Sequence, residues 1–91
     1  MKIFLSGAIE RKPDYKADFN CKKAIFEEQG FETFSPADLP PGWEYEKYLK
    51  VCIAELVQCD GICFVNDTTT SKGAFVERMV AQACGIREVV A

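Results

Sequence analysis

Ninety-one residues, 48% hydrophobic and 27% charged, make one small domain over residues 1–91 with a thin core. A formal charge of −3 leaves no clustered positive surface for nucleic acid. No apolar run approaches the roughly 20 residues that cross a bilayer, so no membrane partner is expected.

The opening "MKIFLSG" is too short in apolar residues for a signal peptide, which makes the cytoplasm the expected compartment. Residues 2–6, "KIFLS", predict a first strand ending at Gly7 in a tight turn. The loop "AIERKPD" leads to a helix over about residues 14–29, stopped at Gly30. "FETF" alternates as a short second strand, and "SPADLPPGW" reads as a proline-rich loop. A second helix over roughly 44–58 carries Tyr45, Leu49, Cys52 and Leu56 on one stripe, with Tyr48 and Ile53 beside it. "GICFV" predicts a buried central strand and "NDTTTS" a polar loop. The third helix runs from near Gly73 to Cys84 and stops at Gly85; "REVVA" supplies a last strand.

Strands alternating with helices imply a small flavodoxin- or Rossmann-like α/β domain of three layers. Its four-stranded parallel sheet is expected in the order 2-1-3-4, with three main helices. Ligands of such sheets bind outside the carboxyl ends of the strands, where the strand order reverses. Here "SGAIER" and "NDTTTSKG" face each other across that crevice. Ser6, Gly7, Asp67, Ser71 and Glu77 are thereby expected to gather. Five cysteines (Cys21, Cys52, Cys59, Cys63 and Cys84), without histidine or a C-x-x-C spacing, read as buried free thiols. Neither a metal nor a cofactor is expected. The lysine pair in "CKKAIF" reads as the wet side of the first helix.

Glu77 is the residue that stands out, an acid within "TSKGAFVERMV". On a helical wheel Val76, Met79, Val80, Ala83 and Cys84 form the inward arc, Glu77 lies at its edge, and Arg78 and Gln82 point away. The helix-start dipoles would keep such an acid ionised, while partial burial would raise its pKa. A carboxylate in that balance can attack an electron-poor carbon. The plainer reading is a helix-start glutamate favoured by the dipole.

Five segments together resemble the nucleoside 2-deoxyribosyltransferase-like superfamily over nearly the whole length: "KIFLSGAI", "GFETFSPADL", "PGWEYEKYLK", "CDGICFV" and "SKGAFVERMVAQACGI". The likeness is greatest to a short, phage- and bacterium-associated branch related to the 2′-deoxynucleoside 5′-monophosphate N-hydrolases. The resemblance implies that Glu77 attacks the anomeric carbon of a 2-deoxyribose, displacing the base, and that a second base or water resolves the ester. A carboxylate suits this because negative charge stabilises an oxocarbenium-like transition state. Ser71 matches a substrate-holding serine of the N-hydrolases. Three positions depart from the family. Cys52 stands where the second helix carries an aspartate that assists the leaving base, and Phe4 where the first strand often has a tyrosine touching the nucleophile. Ala8 and Glu10 replace a phosphate-gripping serine and arginine, leaving Arg11 or Lys12 to meet a phosphate. The family also implies a homo-oligomer, at least a dimer, with the second and third helices in the interface.

The remaining candidates each have a plain alternative. Gly7 admits close ligand approach or simply a turn, and Gly73 opens the third helix at the crevice. Asp67 could hold sugar hydroxyls or be a solvated loop acid. Asp60 reads as a turn-former. Trp43 and Tyr45 could stack on a base, or staple the second helix to the core; Tyr15 could act as a lid. Phe75 and Met79 read as core or subunit-contact residues. The expected function is cleavage or exchange of the N-glycosidic bond of a deoxynucleoside or deoxynucleotide. The rival is a non-catalytic nucleotide binder using the same pocket to sequester or sense its ligand. A structural subunit with an empty crevice is the third option.

Overall fold

The computed structural model describes residues 1–9, 13–69 and 71–91. Glu10, Arg11 and Lys12, weighed above as phosphate neighbours, and Thr70 lie outside the described residues. The order of elements is β1 (Lys2–Ser6), α1 (Tyr15–Glu28), β2 (Glu32–Phe34), a 3₁₀ turn (Pro36–Asp38), α2 (Tyr45–Leu56), β3 (Gly61–Phe64), α3 (Lys72–Ala83) and β4 (Arg87–Glu88). The strands form one sheet in the order β2-β1-β3-β4, and every pairing is parallel. This is the α/β Rossmann-like fold that the alternation of elements predicts.

The period of two along β1 divides the core into two layers. Ile3 and Leu5 pack with Phe19 and Phe26 of α1 on one side of the sheet. Phe4 faces the other way, with Cys52 and Leu56 of α2 and Ala81 of α3. Ser6, at the carboxyl end of β1, falls on that second face by the same alternation.

Two helix ends follow from glycine. Gly30 has φ +89°, its N–H donates to the Glu27 carbonyl, and Phe31 N–H reaches back to the Phe26 carbonyl. Gly85 repeats the arrangement with φ +70°, with Ile86 N–H donating to the Ala81 carbonyl. Such left-handed caps satisfy carbonyls that a helix end would otherwise leave open.

Several details differ from the sequence reading. The loop "SPADLPPGW" contains the 3₁₀ turn, β3 ends at Phe64 without Val65, and β4 keeps only two of the five residues of "REVVA". Cys52, Cys59 and Cys63 are buried free thiols, whereas Cys21 and Cys84 are exposed. Lys23 is half-buried and its ammonium bonds the Asp38 carboxylate at 2.8 Å, tying α1 to the 3₁₀ turn. No helix among the described residues is long and apolar enough to cross a membrane.

The largest correction concerns α3. Its buried face is Ala74, Glu77 and Ala81. Met79 is 50% exposed, Ala83 and Cys84 are exposed, and Val76 and Val80 are only half-buried. Phe75, 63% exposed, is no core residue either. Two alanines, Ala74 and Ala81, flank Glu77 on this face, and Ala81 packs with Phe4, Leu56 and Ile62. Arg78 does not point away: its guanidinium lies 4.0 Å from the Phe64 ring centroid and pairs with Glu88 at 3.4 Å.

Candidate active site

The carboxyl ends of β1 and β3 open into a cleft of about 1080 Å³, in the size range of small-molecule sites. Residues following β1, the first turns of all three helices and the segment after β2 line it. Of the expected site residues, Gly7, Cys52, Asp67, Ser71, Gly73 and Glu77 line this cleft. Ser6 and Phe4 lie behind it.

Glu77 is 6% exposed, and its Oε1 accepts a 2.6 Å hydrogen bond from the Ser6 hydroxyl, which is itself fully buried. Two opposing influences act on the carboxyl. Burial dominates and raises its pKa from the ordinary range to about 7, while the Ser6 hydrogen bond lowers it. Burial thus brings the titration of this acid toward neutral pH. The hydroxyl engages one oxygen of the pair and fixes the plane of the group.

Ser6 therefore acts on the acid from behind, and its 0% exposure leaves no surface for a ligand. Phe4, two residues earlier on the same face of β1, is fully buried and stacks on Phe34 with ring centroids 5.5 Å apart. Its ring belongs to the core. On α2, burial is the main cause that pushes the Cys52 thiol up to about 12, and the neighbouring Glu77 charge adds to it. At neutral pH this thiol is uncharged and holds its proton firmly.

The loop after β3 supplies polar groups. Asp67 is exposed and its Oδ1 accepts from both the amide (3.0 Å) and the hydroxyl (2.6 Å) of Thr69, shaping the turn before α3. Ser71 caps α3, its hydroxyl accepting from Ala74 N–H at 3.2 Å. Asp60 lies at the opposite, amino end of the sheet. Its carboxylate accepts from Lys2 N–H at 2.8 Å, so it fastens the start of β1.

Asn66 is the residue that sequence reasoning passed over. Its Oδ1 accepts from Ala8 N–H at 2.8 Å, and its Nδ2 donates to the Ala8 carbonyl (3.0 Å) and to Asp18 (3.2 Å). The side chain extends the β1–β3 pairing by one step and holds residues 7–9 as a cleft wall. Gly7 belongs to the same lock: a Cβ there would stand 2.7 Å from Val65 Cγ2 and 2.9 Å from Asn66 Oδ1. The glycine is required by its neighbours within the fold. An amide directly after a central strand, at the point where strand order reverses, is the sequence signal for such a clamp.

At the outer end of the cleft, Trp43 and Tyr48 pack together with centroids 5.2 Å apart, and Lys47 sits 4.3 Å from the Trp43 ring centroid. Trp43 thus pins the start of α2. Tyr15 packs edge-on against Phe19 while lining the cleft. Among the described residues, no three acidic or cysteine side chains gather into a metal-holding set.

No curated protein matches the chain. Among solved structures, CMP N-glycosidase from Clostridium botulinum is similar with a TM-score of 0.74 and 20% identity, over 99% of this chain and 70% of that one. The 2-deoxyribosyltransferase of Bacillus psychrosaccharolyticus is similar with a TM-score of 0.76 and 16% identity, over 99% of this chain and 71% of that one. The chain shares the fold of these two enzymes over nearly its whole length. A family model described as a domain of unknown function, DUF4406, matches residues 1–90, and the chain belongs to that family.

Proposed function

We propose that the protein cleaves or exchanges the N-glycosidic bond of a deoxynucleoside or deoxynucleotide, with Glu77 as the nucleophile. The observation that carries this reading is a nearly buried carboxylate in the wall of a ligand-sized cleft, oriented by Ser6. A carboxylate so placed has little other use, because burying it opposes folding. Glu77 would attack the anomeric carbon and form an ester as the bond to the base breaks. Water or a second base then attacks that carbon and returns the carboxylate. Asp67 and the Ser71 hydroxyl lie on the same side of the cleft as Glu77 and suit the hydroxyls of a sugar. The two structural relatives act on a nucleotide and transfer a deoxyribosyl group, as their names state, which agrees with a glycosidic-bond chemistry. The thiols would stay free in a reducing cytoplasm.

One observation favours the rival, a binder without turnover. The Cys52 thiol, held protonated by burial, is a poor proton carrier for a leaving base. Chromatography of free base from a panel of deoxynucleosides and their monophosphates separates the two. Base release that disappears in Glu77→Ala and Glu77→Gln supports the enzyme; tight binding without release supports the binder.

Cys52→Asp is expected to raise base release by about a hundredfold or more, the lower end of what a positioned general acid contributes. Two adjoining carboxyls would share one charge, leaving one as acid and the other as nucleophile. An unchanged or lower rate in a folded variant would count against Cys52 as the position beside the leaving base.

We further propose that two copies associate through α2 and α3. Phe75 (63% exposed) and Met79 (50%) are one turn apart on the outer face of α3, and so small a domain gains core by pairing. Sedimentation is expected to give a dimer for the parent and a monomer for Phe75→Lys; a parent that sediments as a monomer removes this proposal.

A further inference from the structure

Where the backbone ladder between the two central strands stops, one side chain takes it over. Ser6 and Phe64 are the last paired residues, and Val65 N–H donates to the Ser6 carbonyl at 2.8 Å. The next step is made by Asn66, whose amide both accepts from Ala8 N–H and donates to the Ala8 carbonyl. An amide side chain spans a wider gap than a direct main-chain bond, so the chains can part here and remain tied. The cleft opens at this parting, with Gly7, Ala8 and Ile9 in its wall.

The same amide holds a second part of that wall. Its nitrogen also donates to Asp18 at 3.2 Å, in the first turn of α1. That turn carries Tyr15 and Lys16, which line the cleft as well. Both amide protons and the amide oxygen are thus engaged with wall segments, and a glutamine-length or purely apolar side chain could not make all three bonds. Gly7 directly follows Ser6, whose hydroxyl orients Glu77 at 2.6 Å. The wall that Asn66 holds therefore begins one residue from the group that aims the carboxylate.

We propose that Asn66 is a positioning residue for the reaction: one amide fixes two wall segments, Gly7–Ile9 and Tyr15–Lys16, against which the sugar is held in line with Glu77. This rests on the glycosidic reading of the site. Asn66 touches no reacting atom and acts only through the wall. A sugar displaced by about 1 Å from the line of attack loses about a hundredfold in rate, because the reacting atoms must meet at about 3–3.5 Å with their orbitals aligned. The area in contact with the ligand changes little, so binding persists. The signature is a fall in kcat at nearly constant KM, the mark of an interaction that counts only in the transition state.

Base release from the common 2′-deoxynucleosides and their 5′-monophosphates is measured for the parent, for Asn66→Ala, for Asn66→Asp, and for Asn66→Asp combined with Asp18→Asn. Circular dichroism gives the folded fraction, and rates are taken per folded molecule in the cold. Asn66→Ala is expected to lower kcat about a hundredfold with KM within about threefold of the parent. Asn66→Asp still accepts from Ala8 N–H but loses both donors and sets a like charge against Asp18, so it should do no better. Adding Asp18→Asn returns a donor to that contact, and kcat is expected to recover by about tenfold, as a hydrogen bond to a charged group allows. A residue that only stabilised the fold would lower the unfolding temperature and leave these rates alone. A kcat for Asn66→Ala within about threefold of the parent, or an exchange of amide and carboxylate that recovers nothing, overturns the positioning role. Should Asn66→Ala yield no folded protein, the exchanged pair decides alone. If Glu77→Gln abolishes release while the Asn66 result is negative, the Glu77 chemistry stands without it. No release by the parent from any of these compounds overturns both.

Discussion

Glu77→Gln is expected to abolish base release and, at the same time, to make the protein more stable above pH 7. Loss of the nucleophile should lower the rate by at least about a thousandfold, since an amide cannot form the ester. The stability gain follows from burial. The folded protein holds the Glu77 carboxyl at about 7, above its ordinary value of 4.5. An acid raised in this way leaves stability highest below the unfolded pKa. The unfolded chain ionises first as the pH climbs, so stability falls between about 4.5 and 7 and stays low beyond. The gap amounts to about 3 kcal/mol at full ionisation. Glutamine keeps the shape, can still accept from Ser6, and carries no charge to desolvate. Thermal unfolding from pH 4 to 9 should show parent and variant converging at the acid end and diverging by several degrees at the alkaline end. Curves that stay parallel across that range would remove the buried anion from the account.

Ser6→Ala is expected to move the pH dependence of base release without moving substrate affinity. The hydroxyl donates to Glu77 Oε1 and opposes the effect of burial on the carboxyl. Without it the anion forms only at higher pH. A hydrogen bond to a charged group is worth about 1.5–3 kcal/mol, so the alkaline plateau should shift up by roughly one pH unit and the rate at pH 6 should fall about tenfold. Recovery at pH 9 distinguishes this from simple damage to the fold. Carbon-13 NMR of labelled Glu77 reads the same displacement with no substrate present. A profile that drops uniformly at every pH would make Ser6 a packing residue only. The Michaelis constant should change little, since Ser6 has no exposed surface to touch a ligand.

The sheet order and the meeting of Ser6, Gly7, Asp67, Ser71 and Glu77 were legible because local signals suffice for them. Alternation fixes β1, glycine fixes the ends of α1 and α3, and right-handed crossovers fix which loops meet. The orientation of α3 was not legible. A wheel weights side chains by size, and Met79 outweighs Ala74 on it. In the fold the small residues Ala74 and Ala81 face inward with Glu77 instead. The Ser6–Glu77 bond spans 71 positions in the chain and the Asn66 clamp 58, so neither leaves a local trace. Ser6 lies two residues beyond the place where the family resemblance looks for a hydroxyl, at Phe4. One step of the strand's period separates the two, so both side chains fall on the same face of β1.

The division of the five thiols has a practical reach. Cys21 on α1 and Cys84 after α3 stand open, while Cys52, Cys59 and Cys63 are enclosed, and burial is the leading cause that raises all three. An aromatic disulfide reagent or a maleimide dye should therefore react promptly with two sulfurs in the native protein and with all five after denaturation. Neither open sulfur borders the cleft. The chain thus arrives with two built-in attachment points for fluorophores, through which ligand binding can be followed without altering a residue lining the cleft.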